Sequence, residues 1–345
     1  MNVTSHLPKV LPVVLGYSRF ASTTALCLDT LLPQAQACGQ TVLAVDNGSP
    51  DDSAALLQHY VAASPYRDSL ALRLHRENLG FGGGMNAAIQ FWFSQSPEPL
   101  PEWILLINSD TLFPANALKA WLAALSAAPG DIGLVGPLTN NAGNAQKMVI
   151  GHLHNADSIQ QDFAKWSQLA AALMSQPTEL LWETQRADFF CVAIRTHVWQ
   201  ALKGLDPAYG RGYYEDFDFS VRVSAIGYRC VLTEDCLIYH QGSASFKNSP
   251  EQKLLIRRNK ALLLSRFPKL ALPHVRQDNL DLLQKQLAWI HEQKHHPKAS
   301  PEILSALRMR MLLRWEAALG NLPRSPVKRW LWHRRLSSTH KLFRD

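Results

Sequence analysis

Short apolar runs alternate with longer segments of helical spacing along the first 130 or so residues. The runs at 9–16, 41–46, 70–74 and 103–107 are short enough for strands, and helical patterns follow at 22–38, 51–63, 85–93 and 114–127. The run at 103–107 is nearly continuous, as expected for a strand covered on both faces of a sheet. The alternation predicts an α/β fold with a mainly parallel sheet flanked by helices.

The signals weaken between about 130 and 182 and then change character. Residues 132–135 suggest a strand and 157–175 a helix, separated by a long polar loop at 139–155. Strand patterns return at 187–195 and 228–239, with a short helix between them. The rest is helical, at 250–266, 278–295 and 300–319. The pattern predicts that the sheet is completed before about residue 265 and that helices follow it.

Composition limits the class of protein. The chain has 345 residues, of which 47% are hydrophobic, enough for one large or two modest domains with a core. No run reaches the eighteen or so uncharged apolar residues that a membrane span needs, and the amino terminus lacks the features of a secretion signal. The five cysteines show no CxxC spacing, so we expect buried thiols and no zinc site. A cytoplasmic protein is expected.

The positive charge lies at the carboxyl end. The net charge is +7, and the last 45 residues hold 10 Lys and Arg against 3 Asp and Glu, which leaves the body neutral. A neutral body argues against nucleic-acid binding. The basic tail at 323–345, which includes Trp330 and Trp332, could contact the inner membrane peripherally from the cytoplasmic side, or be solvated, or pack on the body.

Polar residues follow two of the predicted strands directly. Asp46, Asn47 and Ser49 come after the second strand, and the sequence Asn108-Ser109-Asp110 comes after the fourth. In α/β folds, ligand-binding residues lie at the carboxyl ends of parallel strands. The glycine-rich segment 78–86 between them predicts a loop whose backbone can approach a ligand closely.

A third cluster combines carboxylates with aromatic residues. Glu215, Asp216 and Asp218 precede a predicted helix, and His240 ends the strand beyond it. Carboxylates crowded among apolar residues are typical of reaction centres because their pKa values shift. With the strand-end polar residues, this cluster predicts a site for a nucleotide diphosphate and a metal ion.

These motifs, with the Gly204-Leu205-Asp206-Pro207 segment, resemble in order and spacing those of family 2 glycosyltransferases, in particular the bacterial rhamnosyltransferase-like group. The resemblance covers roughly residues 10–265. It implies a GT-A domain at 1–265, with a nucleotide-binding half at about 1–130 and an acceptor-side half at about 131–265, followed by a helical extension at 266–345. It also implies an inverting, metal-dependent transferase with a dTDP- or UDP-sugar donor, rhamnose being one candidate. The implied acceptor is a hydroxyl of a bacterial cell-surface glycan or a lipid-linked oligosaccharide.

The resemblance also implies roles for individual residues. Asp216 would be the general base, with Glu215 as its rival, and Asp110 and His240 would hold Mg²⁺ or Mn²⁺. Asn108 replaces the first aspartate of the family's DxD signature, so Asp110 alone supplies strong charge there. Residues implied at the donor nucleotide are Tyr17, Asp46, Asn47, Ser49, Asn78, Gly80, Asn108 and Ser109, and residues implied on the acceptor side are Tyr214, Asp218 and Arg222.

Several alternatives stay open at this point. Asp46 could instead form an Asx turn, and Asp218 with Arg222 could be a helix-stabilising pair at i and i+4. A sugar-phosphate nucleotidyltransferase would also bind a nucleotide and a metal, but it should carry a basic residue beside the phosphates in the glycine loop, and residues 80–86 have none. A non-catalytic glycan-binding protein of the same fold is a further alternative.

Overall fold

The computed structural model describes residues 7–95, 99–148, 158–242, 249–295 and 299–320. Its first half alternates strands and helices as predicted, with bounds within a few residues of the expected ones for most elements. These elements are β1 (Val10–Gly16), α1 (Thr24–Ala37), β2 (Val42–Asn47), α2 (Ser53–Ala63), β3 (Leu70–His75), α3 (Gly80–Gln95), β4 (Trp103–Asn108) and α4 (Ala117–Ala127).

Three short strands or helices were not predicted by the sequence, namely β5 (Thr111–Leu112), which lies between β4 and α4, and in the second half β7 (Leu181–Glu183) and α6 (Thr196–Leu202). They are too short to show a period. The other elements are β6 (Ile132–Thr139), α5 (Ile159–Met174), β8 (Cys191–Arg195), α7 (Glu215–Ala225), β9 (Arg229–His240), α8 (Pro250–Arg266), α9 (Val275–His295) and α10 (Pro301–Gly320).

The described strands form one mixed sheet in the order β3-β2-β1-β4-β8-β6-β9-β5, with β7 paired to β9. The first four strands are mutually parallel, whereas β8 runs antiparallel to both β4 and β6. The amino-terminal end of β8 therefore lies beside the carboxyl end of β4. This reversal brings a segment from the second half of the chain to the edge where the parallel strands end. The α/β fold class is confirmed.

Both faces of the sheet are covered, which explains the continuous apolar strands. One core joins Met85 and Ile89 of α3 to the sheet, and the other joins Leu28 of α1 and Trp121 of α4 to it. The side chains of β4 alternate between these two cores: Ile104 faces the first core and Leu105 the second. The strand is fixed from both sides, so the positions of the polar residues that follow it are fixed too.

The glycine-rich segment forms helix rather than the predicted loop, because α3 begins at Gly80. Glycine costs a helix about 1 kcal/mol relative to alanine, so close packing must favour it here. A Cβ on Gly84 would lie 2.8 Å from Oδ1 of Asn47, and one on Gly80 would lie 2.2 Å from the carbonyl oxygen of Gly210. Gly80 also has a positive φ of 73°. The glycines let α3 pack tightly against its neighbours near the carboxyl edge of the sheet.

The last two helices pack against β7 and β9. The rings of Trp182 and Trp289 meet edge to face at 6.2 Å, and the guanidinium group of Arg314 on α10 reaches Glu234 of β9. All five cysteines are free, and four of them are buried. Among the described helices, none has the length and apolar character to cross a bilayer. The basic tail at 323–345 and part of the long loop, 149–157, lie outside the described residues.

Candidate active site

A cavity of about 640 Å³ opens at the carboxyl edge of the sheet, where β1, β2 and β4 end. The amino-terminal ends of β8 and α7 and the carboxyl end of β9 complete its walls. Its lining includes the ionisable residues Asp110, Arg186, Asp188, Arg211, Glu215, Asp216 and His240. Segments separated by more than 200 residues thus meet in one space.

Most of the residues predicted to contact a nucleotide line this cavity, namely Tyr17, Asn47, Asn78, Gly80, Asn108 and Ser109. Asn47 ties two of these segments together: its Nδ2 donates to the Gly80 carbonyl at 3.0 Å and to Oδ1 of Asn78 at 3.3 Å. Oδ1 of Asn78 accepts the N–H of Gly80 at 2.8 Å and satisfies a donor at the start of α3. The end of β2 therefore fixes the start of α3.

Asp46 and Ser49, which were predicted to contact the donor, are not among the residues that line the cavity. Asp46 is only 3% exposed, and its carboxylate accepts hydrogen bonds from the backbone N–H of Ser49 at 2.9 Å and from the Ser49 hydroxyl at 2.5 Å. Ser49 Oγ in turn accepts the N–H of Ser18 at 2.8 Å. This is the Asx-turn alternative, and the turn holds the segment that carries Tyr17 in place.

Asp110 and His240 lie together on one wall of the cavity, with 3.4 Å between Asp110 Oδ1 and His240 Nε2. The extended strand β9 delivers His240 beside β5, where it pairs with Thr111. The imidazole stacks on the ring of Phe190 at 5.0 Å between centroids. Both predicted metal ligands are therefore adjacent and oriented by their neighbours.

The hydrogen bonds of His240 determine which of its nitrogens faces Asp110. Nδ1 lies 2.8 Å from the carbonyl oxygen of Asn141, and a carbonyl can only accept, so Nδ1 carries a hydrogen. Nε2 then points toward Asp110. A metal-binding histidine commonly has this arrangement, with one nitrogen fixed by a carbonyl and the other free to coordinate.

The Asp110 and His240 side chains hold each other in their charged forms. Burial alone would raise the pKa of Asp110, but the hydrogen bond and the charge of His240 outweigh it and lower the pKa below its usual value. Burial alone would lower the pKa of His240, but the hydrogen bond and the charge of Asp110 raise it above its usual value. A cation bound to Asp110 and Nε2 would take the place of the histidine proton.

A carboxylate and an imidazole suit Mn²⁺ or Mg²⁺ when other oxygen ligands complete the shell. Among the described residues, no group of three or more His, Cys, Asp or Glu side chains is arranged to hold a metal ion. Asp110 and His240 therefore fit an ion that takes its remaining ligands from a bound diphosphate and water. They do not fit a cage made by the protein alone.

Glu215 and Asp216 form the other ionisable pair in the cavity. They occupy the first turn of α7, and both have elevated pKa values. Burial is the main cause for each; the charge of Asp216 adds to it for Glu215, and the charge of Asp188 adds to it for Asp216. Glu215 Oε2 is buried without a hydrogen-bond partner among the described residues. The pair can hold and release a proton near neutral pH.

Arg186 and Asp188 line the cavity and were not predicted. They are 3.4 Å apart, and the Asp188 carboxylate accepts the N–H of Gly143. Asp188 is close enough to raise the pKa values of both Asp216 and His240. Its charge therefore acts on both the Glu215–Asp216 pair and the Asp110–His240 pair. The rule that sites lie at carboxyl ends of strands could not find it, because it precedes an antiparallel strand. A carboxylate directly before an apolar strand was the available signal.

Asp218 and Arg222, which were predicted on the acceptor side, lie outside the cavity lining. Arg222 Nε donates to Asp218 Oδ2 at 2.6 Å, and Arg266 Nη1 donates to Asp218 Oδ1 at 3.2 Å. Arg222 also donates to the carbonyl oxygen of Gly204 at 3.2 Å. These groups satisfy each other and join α7 to α8. Tyr214, the third predicted acceptor-side residue, does line the cavity.

The chain is similar in sequence to one protein family and in fold to several solved structures. The sequence model described as "Glycosyl transferase family 2" matches residues 13–171. No curated protein matches the chain. The solved structure of GalNAc-T7 with UDP, GalNAc and Mn²⁺ matches with a TM-score of 0.54 at 12% identity, covering 75% of this chain and 48% of that chain. At this identity the match concerns the fold alone.

Two further solved structures match over nearly the whole chain. The mannosyltransferase PcManGT from Pyrobaculum calidifontis in complex with GDP-Man and Mn²⁺ has a TM-score of 0.45 at 16% identity, covering 98% of this chain and 82% of that chain. S. aureus TarS 1-349 in complex with UDP-GlcNAc has a TM-score of 0.46 at 15% identity, covering 97% of this chain and 89% of that chain.

Proposed function

We propose that the protein is an inverting glycosyltransferase, because residues 13–171 belong to glycosyl transferase family 2 and the chain has the GT-A fold. It transfers a sugar from a nucleotide-diphosphate donor to a hydroxyl group. Each half of this reaction needs its own chemistry: the departing diphosphate needs positive charge, and the attacking hydroxyl needs a base.

One observation carries the proposal: a single cavity is lined by the Asp110–His240 pair and by the Glu215–Asp216 pair. The first pair suits a cation, and the second contains carboxyl groups with elevated pKa values. A structural ion pair would be satisfied internally, as Asp218 and Arg222 are. Glu215 Oε2 has no hydrogen-bond partner in the part of the chain that the structure describes, which instead favours a site that is completed by a bound ligand.

In the proposed reaction, Asp216 accepts the proton of the acceptor hydroxyl. The hydroxyl oxygen forms a bond to the anomeric carbon as the bond from that carbon to the diphosphate oxygen breaks, and the electron pair leaves with the diphosphate. A positioned general base contributes about 10²- to 10⁴-fold in rate. Glu215 is the rival for this role, or it holds the acceptor through its free oxygen.

Asp110 Oδ1 and His240 Nε2 would hold Mg²⁺ or Mn²⁺. When bound, the ion supplies Lewis-acid charge that stabilises the leaving diphosphate. The structure of GalNAc-T7 includes Mn²⁺ and UDP, which supports this assignment by analogy of fold. Arg186 and Arg211 also line the cavity and add positive charge to it. This charge would help to neutralise the leaving diphosphate, and it would partly compensate for the weaker metal binding of a segment, Asn108-Ser109-Asp110, that has only one carboxylate.

The proposed donor is a dTDP- or UDP-sugar, with rhamnose as one candidate, and the proposed acceptor is a bacterial cell-surface glycan or lipid-linked oligosaccharide. The motif resemblance supports both. We place the enzyme in the cytoplasm, where the basic tail at 323–345 would bring it to the inner membrane surface. The loops between 139 and 182, which line the cavity at Asn141 and Gly143, would contribute to sugar selection.

A donor screen tests the proposal. The purified protein is incubated with a panel of UDP- and dTDP-sugars in Mn²⁺, Mg²⁺ or EDTA, and thermal stability and release of nucleoside diphosphate are measured. We expect one donor to raise the melting temperature and to be hydrolysed slowly, both only with a divalent ion. A panel without stabilisation or release would refute the transferase and favour a non-catalytic glycan-binding protein.

A nucleotidyltransferase is favoured by one observation that sequence could not supply. Arg211 packs against the start of the glycine-rich helix, where a Cβ on Gly80 would lie 2.9 Å from the Cα of Arg211. A basic residue therefore lies beside this segment, although it comes from a distant part of the chain. Incubation with UTP or dTTP and a sugar 1-phosphate separates the two reactions, because only a nucleotidyltransferase releases pyrophosphate.

A further inference from the structure

The loop before the two cavity carboxylates has an unusual backbone. In this 209–214 loop, Gly210 and Gly212 have positive φ values of 66° and 141°, and Tyr213 and Tyr214 also have positive values of 73° and 72°. Residues with a Cβ rarely adopt this conformation, and two in succession are strained. Glu215 and Asp216 follow at once. A strained loop persists only when its surroundings hold it.

The side chain of Asn259 on α8 provides such a hold. Its Nδ2 donates to the carbonyl oxygens of Tyr209 at 2.8 Å, Gly212 at 2.7 Å and Tyr213 at 3.1 Å. An amide nitrogen has two hydrogens, so the three carbonyls share them. Three carbonyl oxygens that converge on one point repel each other unless a donor lies between them. Asn259 is fully buried, so water cannot take its place.

Other contacts between α8 and the loop surround Asn259. Nε2 of Gln252 donates to the hydroxyl of Tyr213 at 2.6 Å, and Arg258 Nη2 donates to the carbonyl oxygen of Ala208 at 3.2 Å. Leu263 packs in a small apolar cluster with Tyr209 and Phe217. The loop and the first turn of α7 are therefore fastened to α8, and Asn259 contacts the part of the loop with the strained backbone.

We propose that Asn259 is a positioning residue for the transfer reaction: its side-chain amide holds the 209–214 loop in the conformation that presents Asp216 to the cavity. The inference rests on the proposed function, in which Asp216 is the base. Gly212, Tyr213 and Tyr214 line the cavity together with Asp216, whereas Asn259 does not. Asn259 therefore acts through the loop, without touching substrate.

Two variants remove the donor hydrogens. Asn259→Ala deletes the amide, and Asn259→Asp keeps its shape but replaces the two amide hydrogens with at most one carboxyl hydrogen. Gln40 offers matched controls, Gln40→Ala and Gln40→Glu, because it is also a buried amide that donates to two backbone carbonyls, those of Pro8 and Cys38. It lies at the opposite edge of the sheet, beside the start of β1.

The measurements are nucleoside-diphosphate release from the donor found in the screen, calorimetric binding of UDP and dTDP with Mn²⁺, and amide hydrogen exchange of residues 213–216. For both Asn259 variants we expect kcat to fall about ten- to a hundredfold, as for a misplaced catalytic group, with nucleotide affinity within about twofold. Exchange at 213–216 should accelerate. The Gln40 variants should lose comparable stability but keep kcat and the exchange pattern.

A second background tests the strain directly. Glycine adopts a positive φ without penalty, so Tyr213→Gly should reduce the dependence of the loop on Asn259. Asn259→Ala should then lower kcat at least threefold less in the Tyr213→Gly protein than in the wild type. Equal losses in the two backgrounds, or a wild-type exchange pattern in Asn259→Ala, would overturn the proposal. If the wild type hydrolyses no donor, the proposed function fails, and hydrogen exchange alone decides whether Asn259 holds the loop.

Discussion

Glu215 and Asp216 are adjacent carboxyl groups at the amino-terminal end of α7, where two opposing effects act on them. The helix dipole favours their ionised forms, whereas burial and neighbouring negative charge favour their protonated forms. Both pKa values are elevated, so burial dominates. Asp218, two residues after Asp216, forms ion pairs with two arginines instead. The ionisation of each carboxyl group here therefore depends on its surroundings, and not on its residue type.

The first prediction at this scale concerns the base. Asp216→Asn should leave donor binding nearly unchanged and reduce transfer at least about a hundredfold, because the amide cannot accept the proton. Glu215→Gln should cost less. Steady-state kinetics and calorimetric donor binding measure both, with the exposed Asp68→Asn as control. Near-normal turnover by Asp216→Asn, with a large loss in Glu215→Gln, would assign the base to Glu215.

The second prediction concerns pH. The base must be ionised, so the rate should fall as the pH drops through the elevated pKa of Asp216, well above the ordinary value of 3.8. The negative charge of Asp188 disfavours ionisation of Asp216, so Asp188→Asn should lower this pKa and move the acidic limb of the profile to lower pH. A pH–rate profile for each protein measures the shift. An unmoved or upward-shifted limb would contradict the coupling.

The third prediction concerns the metal. Asp110→Ala should weaken donor binding in Mn²⁺ at least about tenfold and have little effect in EDTA, because the carboxylate acts on the donor through the ion. Titration calorimetry with UDP in both conditions measures the difference. Asp68→Ala, which removes an exposed carboxylate that does not line the cavity, is the matched control. The metal assignment would be refuted by equal UDP affinity of wild type and variant in Mn²⁺.

The direction of β8 and the position of α10 each determine how several charged residues are placed. The reversed direction of β8 brings Asp188 to the carboxyl edge of β4, as the hydrogen bond from Asn108 N–H to the Phe190 carbonyl at 2.8 Å records. Helix α10 places two fully buried arginines beside the middle of β9: Arg314 Nη2 lies 2.6 Å from Glu234 Oε1, and Arg310 Nη2 lies 3.3 Å from Asp235 Oδ1. The direction of β8 thus determines which residues line the cavity, and the buried ion pairs hold α10 against the sheet.

The fourth prediction follows from this buried charge. Arg314→Met should lower the free energy of unfolding by about 3–5 kcal/mol, because Glu234 would remain buried without its partner. The double variant Arg314→Met with Glu234→Gln should regain part of the loss, since no charge is then stranded. Urea unfolding measures both. Arg308→Met, on the exposed face of the same helix, is the matched control and should change stability little.

At the scale of the whole molecule, one sheet connects the cavity to the carboxyl-terminal helices. The Asp110–His240 pair lies at the carboxyl end of β9, and the buried carboxylates Glu234 and Asp235 lie in the middle of the same strand. Gln286 of α9 also donates to Glu234 Oε1 at 2.7 Å. The helices after residue 265, which were predicted as an extension, therefore pack over the charged side chains of β9, the strand that ends at His240.

The fifth prediction tests this dependence. A chain that ends at residue 266 should lose cooperative thermal unfolding, because removing α9 and α10 exposes Trp182 and leaves Glu234 and Asp235 without their arginines. A chain that ends at residue 320 keeps both helices and should unfold as the full chain does. Circular dichroism and gel filtration compare the three. A folded, cooperative 1–266 chain would show that the sheet is stable without the helices.

Local sequence patterns were enough to predict the alternation of strands and helices and to place most of the donor-side and metal-side residues at one edge of the sheet. Hydrophobic periodicity is a local property, and the polar residues that directly follow the parallel strands reach one edge whatever lies beyond them. Tyr17, Asn47, Asp110 and His240 line the cavity for this reason. The helical start of α3 was missed, because glycine propensity predicts a loop and only packing against Asn47 and Gly210 explains the helix.

Which charged residues face the cavity and which satisfy each other depends on how distant segments of the chain pack together. Asp46 accepts a hydrogen bond within its own turn, Asp218 forms ion pairs with Arg222 and Arg266, and Asp188 comes just before the antiparallel strand β8. Asn259 reaches three carbonyls that lie 46 to 50 residues earlier in the chain. The pKa of a carboxyl and the worth of a hydrogen bond depend on burial and on partners distant in sequence, which local patterns do not encode.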